Sequence, residues 1–494
     1  MRNARVDSAV RRWMAAWLLL IGVLMLVPAA VRAQDAEAQI ERFGFTPEQV
    51  GYQVVDLETG TVLESGRADA LFIPASTAKV PSMVLALGIL GEEHRPRTEV
   101  WVTGPLKDGV LQGDLYLRGL GDPFLDTGGL KSLAAQVAEA GIREVAGTFH
   151  YDATWLPSSP LITPTQPITA GYNPGISALS VNFNRVHLEW VPNGDGIIAS
   201  VYTYANTGRI PVDWIGVANG GDFGALLDYG SNEGDGVESW VHADSLSGEG
   251  GVWLPVRSPA VNTAMLFRAA AADAGITLPQ PLPRATPADA DLVALHVGDP
   301  LPRIAAEVLE HSNNMAAELV GLAAARRLAG PLDGMEHAVA AATAWLQQRV
   351  DADWTGFDLE NFSGLSSRSR ISPAQMCAVL AFAHEMEGPA LFDLLKTANW
   401  EGNLNQGRSS SQPRIQVRAK TGTMAYAVGL AGYIDASSGR RLAFSVFVND
   451  IPAREALDAV LDLRDANTPP GAKAWFNRAR ELERALVSGW ASRY

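Results

Sequence analysis

The chain of 494 residues holds a single cysteine, Cys377, so no intramolecular disulfide can form. That thiol sits in "SPAQMCAVLAFAHEM", where Met376, Val379, Leu380 and Ala383 recur at helical spacing. No histidine or basic residue adjoins it, so a core thiol is expected rather than a nucleophile. Stability must then come from a hydrophobic core, and 47% apolar against 19% charged residues is globular composition. No G-x-S-x-G occurs, which removes the nucleophile elbow of a Ser-His-Asp hydrolase. The eight histidines show neither H-x-H nor H-E-x-x-H spacing, so no metal and no cofactor is expected. The formal charge of −15 argues against a nucleic-acid partner. Lysine is scarce, with only residues 79, 107, 131, 396, 420 and 473.

Long apolar runs are missing too: none reaches the ~18 residues of a membrane span. The nearest is residues 13–27, preceded by Arg2, Arg5, Arg11 and Arg12 and followed by Pro-Ala-Ala-Val-Arg-Ala. This is the pattern of a cleaved signal peptide over residues 1–33, which would place the mature protein in the periplasm; the other reading is an uncleaved anchor, for which about fifteen apolar residues are short and Pro28 would interrupt a helix. The length suits two or three domains. "YQVVDLETGTVLES" predicts a β-hairpin, and residues 415–420 and 429–450 predict three more strands before a final helix at 471–490. Strands at both chain ends with helices between them point to one α/β domain whose sheet joins the two ends. Residues 101–292 read as an insertion rich in short strands, closed by the proline-rich stretch 279–291. The expected division is 34–100 and 293–494 for the core, with 101–292 inserted.

Three short motifs remain. In "FIPASTAKVPSM", Ser76 precedes a helical pattern and Lys79 follows one turn later on the same side. A serine there can be a nucleophile, and a neutral lysine can take its proton. Alone, the pair reads equally as a helix cap beside a solvated lysine, and Pro81 removes a hydrogen bond near the first turn. In "HSNNMAAEL", Ser312 and Asn314 lie at a polar break between two apolar helical segments, and His311 beside them reads as a surface histidine. A second S-x-N, Ser180-Val181-Asn182, falls in an alternating run that predicts a half-buried strand. In "RAKTGTMAYAVG", Lys420, Thr421, Gly422 and Thr423 end one strand before another, and Gly422 lets a ligand approach the backbone.

S-x-x-K, S-D-N and K-T-G in this order form the signature set of penicillin-binding proteins and class A β-lactamases; here the middle element is S-N-N, which keeps the outer hydroxyl and amide. With the blocks "GDLYLRGLGDPFL", "YDATWL", "ISALSVNFN" and "FSGLSSRSRISP", the chain resembles the D-alanyl-D-alanine carboxypeptidase/endopeptidase family, the class C low-molecular-mass penicillin-binding proteins. The resemblance covers roughly residues 45 to 450. It implies a serine β-lactamase/DD-peptidase-like core, an antiparallel sheet flanked by helices, with the β-rich insertion placed between Ser76 and Ser312. It also implies a Ser76 acyl-enzyme with Lys79 as base, Ser312 as proton relay with Lys420, Asn314 on the substrate amide, and Thr421, Gly422 and Thr423 around the terminal carboxylate. The oxyanion donors would be the N–H groups of Ser76 and Thr423. Asp152 is expected to reach from the insertion to an amino group on the stem peptide, or else to be a turn-forming surface aspartate at a strand end. The implied partners are peptidoglycan peptides and, as covalent inhibitors, β-lactams; no oligomeric state follows. Two departures bear on rate and preference: Asn361 stands where the family often has aspartate, and the stretch 399–416 before the third motif is unusual. A β-lactamase or esterase would share the motifs, and a decayed site would leave a peptidoglycan-binding protein.

Overall fold

Asp56 starts the first turn. Its Oδ1 accepts from the N–H groups of Glu58 and Thr59, and Gly60 completes the reversal at φ +69°. The turn joins β1 (Val50–Asp56) to β2 (Val62–Gly66) as the expected hairpin. The other core strands come from the far end of the chain: β3 (Gln416–Met424), β4 (Ala427–Asp435) and β5 (Arg441–Asn449). The sheet order is β3-β4-β5-β1-β2, every pair antiparallel. This computed structural model describes residues 29–194, 196–205, 208–221, 225–230, 238–409, 411–464 and 469–494. Residues 1–28 of the expected signal peptide lie outside the described residues. Among the described residues, no helix is long and apolar enough to cross a membrane.

β4 and β5 are buried on both faces, which explains their near-continuous apolar sequence. On one face, Val428, Leu430, Ile434, Phe444 and Val446 pack against α1 (Ala29–Arg42) and the last helix of the chain, Ala472–Arg493. On the other, Ala431, Tyr433, Ala443 and Phe447 meet the helical layer. That layer holds α2 (Lys79–Leu90), α3 (Leu301–His311), α4 (Asn314–Ala329), α5 (Met335–Arg349) and α6 (Pro373–Glu385); the helix Ala472–Arg493 is α7. Cys377 on α6 is buried, donates to the Gln53 carbonyl, and its thiol is pushed up to about 12 by burial. It is the inert core group expected.

Between α2 and α3 the chain builds a second sheet. Its strands run Pro281–Pro283, Phe149–Asp152, Leu115–Gly119, Arg97–Val102 and Asp291–Val297 in spatial order, and helices Thr127–Glu139 and Pro259–Asp273 share its core. Its first and last chain segments, Arg97–Val102 and Asp291–Val297, are paired neighbours, so the excursion leaves and returns at one place. They extend a few residues beyond the expected 101–292. A further four-stranded sheet (Gly208–Pro211, Gly196–Ala205, Arg185–Asn193, Gly250–Pro255) and a three-stranded one share a smaller core around Trp240. The half-buried strand expected around Ser180 to Asn184 is not present. Asn182, Phe183 and Asn184 take φ values of +51°, +56° and +51°, and the strand starts only at Arg185. The asparagine side chains hold this turn through distant partners: Asn184 Nδ2 donates to the Gly175 carbonyl, and Asn182 Nδ2 to Thr127 and Thr203.

Candidate active site

Ser76 lies in a 3-10 turn, Ala75–Ala78, that runs straight into α2. It caps no helix; its side chain is free to face the cleft. Pro81 is the third residue of α2, so the hydrogen bond it lacks would have reached back into the Ala75–Ala78 turn, and no bond between residues of α2 is lost. Two glycines grip the turn. A Cβ on Gly364 would sit 1.9 Å from the Ala75 carbonyl oxygen, and Gly364 has φ +71°. A Cβ on Gly422 would sit 2.5 Å from the Pro74 carbonyl oxygen. The nucleophile turn is thus held by direct backbone approach from the 361–365 loop on one side and β3 on the other.

Lys79 is completely buried. Its Nζ lies 3.0 Å from Ser76 Oγ, 2.7 Å from Asn314 Oδ1 and 2.7 Å from the Ser363 carbonyl. Asn314 Nδ2 donates to the Tyr172 carbonyl at 2.9 Å, so its Oδ1 faces the lysine. Two of the three partners can only accept. A neutral amine gives them its two hydrogens and keeps its lone pair for the Ser76 hydroxyl proton. Burial, aided by Lys420, holds the amine well below the usual lysine range, while Glu318 opposes the shift.

Glu318 was not singled out from the sequence. It is the only charged residue of the first twelve in α4 and lies one turn after Asn314, and a charge inside so apolar a helix is the signal that marks it. It is fully buried, and its two oxygens accept from the N–H groups of Phe362 and Ser363, each at 2.9 Å. It therefore fixes the carbonyl that binds Lys79. In the same loop, Asn361 Oδ1 accepts from Gly364 and Leu365, the acceptor role an aspartate would also fill.

α3 ends at His311, Ser312 adopts φ +58°, and Asn313 caps α4 through the Ala316 N–H. The expected break is thus a left-handed residue plus a cap. Ser312 Oγ has no hydrogen-bond partner among the described residues and lines the cleft with Ser76 and Asn314. His311 is exposed, 3.3 Å from Glu307, as the surface reading had it.

β3 is an edge strand, and its outer edge is only half covered. Ala398 donates to the Val417 carbonyl, and the Ala419 N–H donates to the Lys396 carbonyl. By alternation, the N–H and C=O groups of Thr421 and Thr423 point to the same edge, which is open from there. Both threonines are exposed to the cleft while Gly422 between them is buried. Lys420 is buried and donates to the Thr421 carbonyl at 2.9 Å. Burial, with Arg480 and Lys396 nearby, lowers it to about 7. Arg480, on α7, is a second residue the sequence did not flag. Its Nη2 donates to Thr423 Oγ1 at 2.8 Å, and its guanidinium stacks on Phe476.

The cleft holds about 690 Å³ and brings together Ser76, Ser312, Asn314, Thr421 and Thr423, with Tyr172 and Gln166 entering from the insertion. Asp152 does not line it. It is buried at a strand end, where Oδ1 accepts from Thr154 and Oδ2 from the Thr286 N–H, with Arg118 3.7 Å away. The turn role fits it but the surface position does not, and its carboxylate has no free face for a substrate amine.

The family model for D-Ala-D-Ala carboxypeptidase 3 (S13) matches residues 34–467. The chain is 28% identical over 445 residues to a D-alanyl-D-alanine carboxypeptidase of Actinomadura sp., covering 84% of this chain and 80% of that protein. It is 23% identical over 468 residues to the D-alanyl-D-alanine carboxypeptidase DacB of Haemophilus influenzae, covering 90% and 93%. The crystal structure of penicillin binding protein 4 from Haemophilus influenzae matches with a TM-score of 0.69 at 20% identity, over 93% of this chain and 99% of that one, a likeness of fold. The fold expected from the motifs is therefore the fold observed, and the chain belongs to the D-Ala-D-Ala carboxypeptidase 3 (S13) family.

Proposed function

We propose that the chain is a serine D-alanyl-D-alanine carboxypeptidase, with cross-link endopeptidase activity as a further capacity, that acts on peptidoglycan stem peptides through a Ser76 acyl-enzyme. The observation that carries this reading is the fully buried Lys79 amine 3.0 Å from Ser76 Oγ, with acceptors for both hydrogens of a neutral amine in Asn314 Oδ1 and the Ser363 carbonyl. The substrate's terminal peptide pairs with the open edge of β3. Ser76 Oγ attacks the carbonyl between the two D-alanines as Lys79 takes the hydroxyl proton. The carbonyl oxygen becomes an oxyanion, held by the Ser76 and Thr423 N–H groups; one such donor is typically worth ~3 kcal/mol. The tetrahedral centre collapses, the C–N bond breaks, and Ser312 passes its proton to the leaving amine while taking the one that Lys79 carries, which returns Lys79 to its neutral form. Water then attacks the ester and frees Ser76. Thr421, Thr423, Lys420 and Arg480 hold the terminal carboxylate, and Asn314 positions both Lys79 and the substrate amide. β-Lactams acylate the same serine.

The division into a core of 34–100 and 293–494 with an insertion of 101–292, the signal peptide over 1–33 and a periplasmic site of action belong to this reading. A fluorescent penicillin will label the protein covalently and will not label Ser76→Ala; equal labelling of the variant overturns the assignment. A muropeptide ending in D-Ala-D-Ala will lose one alanine. Rapid turnover of the penicillin instead identifies a β-lactamase.

A further inference from the structure

The outer face of the four-stranded sheet in the insertion carries an open cluster of rings. His187 on the strand Arg185–Asn193 and Trp253 on Gly250–Pro255 are cross-strand partners, with ring centroids 4.9 Å apart. Tyr204 on Gly196–Ala205 lies 5.5 Å from Trp253 and 5.9 Å from His187. The rings meet at 53° to 65°, so they form a corner rather than a closed stack. Trp253 is 46% and Tyr204 37% exposed. A structural aromatic cluster would bury these faces, and the sheet already has its core on the opposite side, around Trp240 and Leu254.

Polar groups are interleaved with the rings. Glu189 accepts from Tyr204 Oη at 3.3 Å, lies 3.2 Å from His187 Nδ1 and pairs with Arg209, whose guanidinium covers Tyr202. A membrane-facing patch would lack such an acid–base pair. A ligand with apolar C–H faces and a rim of hydroxyl and amide groups suits it, because ring faces take the former and the Glu189–Arg209 pair offers both an acceptor and a donor. The platform also adjoins the cleft. Gly171 packs on the backbone of Trp253, and the next residue, Tyr172, lines the cleft and gives its carbonyl to Asn314.

We propose that this face is a sugar-binding platform for the glycan strand that carries the stem peptide. The proposal rests on the peptidoglycan reading above, since the peptide in the cleft and the sugar on the platform are then parts of one polymer. The test is titration calorimetry of the full chain with N-acetylglucosamine–N-acetylmuramic acid oligosaccharides freed of peptide. Trp253→Ala and, independently, Tyr204→Ala are expected to bind at least ~10-fold more weakly than the unaltered protein. Penicillin labelling and turnover of a free pentapeptide stay unchanged, while KM on intact peptidoglycan rises with kcat retained. No binding of the oligosaccharide by the unaltered protein, or equal binding by both variants, overturns the platform. So does a dimer that Trp253→Ala dissociates, which makes the face a contact between copies. Oligosaccharide binding that is lost in Trp253→Ala, in a protein that leaves the pentapeptide uncut, overturns the peptidase reading and leaves the platform standing.

Discussion

Lys79 works as a base only if its surroundings keep it neutral, and those surroundings contain one buried opposing charge. Glu318 raises the lysine's affinity for a proton while burial and Lys420 lower it. Replacing Glu318 by glutamine removes the charge and one of two acceptor oxygens. The acid limb of the kcat/KM profile is then expected to move to lower pH, and the rate at its plateau to fall by on the order of 10²-fold as Ser363 loses its anchor. A stopped-flow pH profile of acylation separates the two effects; an unmoved limb excludes the electrostatic part. In the proposed mechanism Lys420 sets the other limb. Its positive charge, needed for a carboxylate, is lost as pH rises through about 7 in the free enzyme. kcat/KM should therefore decline on the alkaline side from near that value. Because burial leads the shift and Arg480 adds to it, Arg480→Ala should move the decline upward while raising KM for substrates with a free carboxylate ~10-fold. A depsipeptide series at several pH values checks both. Of these residues, Ser76, Lys79, Ser312, Asn314 and Lys420 were legible because their spacing is stereotyped. Glu318 and Arg480 were not, because each acts through a partner far away in sequence: Phe362 and Ser363 for one, Thr423 for the other.

Among the elements, the turn Ala75–Ala78 is constrained from two sides. Its conformation is imposed from outside by Gly364 and Gly422, whose added Cβ atoms would meet backbone carbonyls that cannot swing aside. Gly422→Ala is thus expected to reduce acylation by ~10²-fold or more through displacement of Ser76, with little change in far-ultraviolet circular dichroism. Gly364→Ala adds the strain of a positive φ and should also lower the melting temperature. Wild-type acylation in Gly422→Ala would remove the gripping role. The sequence revealed the core strands well, since two-faced burial writes itself as apolar runs, as in "AFSVFVN". It misled around Asn182–Asn184, where alternation looked like a strand. Local pattern carries no trace of the Gly175, Thr127 and Thr203 partners that bend this segment into a left-handed turn.

At the scale of the molecule, the insertion is not a passive appendage. Its Tyr172 carbonyl holds the amide of Asn314, and so the packing of the insertion sets the orientation of a group that touches Lys79. Asp152 could be placed in a turn at a strand end from sequence, but not known to be held by Thr286 as well, because that bond depends on how residues 281–286 fold back. One buried acid weakens the whole. Glu483 on α7 is buried, with Oε1 lacking a hydrogen-bond partner among the described residues, and burial raises it to about 8. The neutral form is the one the fold favours, so this contribution is intact below about 4.5, the ordinary carboxyl value, and is lost progressively as pH rises from there to about 8. Glu483→Gln should accordingly raise the melting temperature by several degrees at pH 9 and by little at pH 5, as calorimetry can read.

The half-covered edge of β3 has one more consequence. An exposed strand edge invites any passing chain to add to the sheet, which is how soluble proteins come to aggregate. Here the segment around Lys396 to Ala398 blocks that edge as far as Ala419, and only Lys420–Met424 is left open, about 16 Å at ~3.3 Å per residue. That is a ruler for a ligand of a few residues. It is too short to template a stable intermolecular ladder, yet long enough to read a peptide tail. Lengthening a peptidomimetic inhibitor beyond that span should therefore add no further main-chain pairing, whereas trimming the 396–398 cover would convert a catalytic edge into a sticky one.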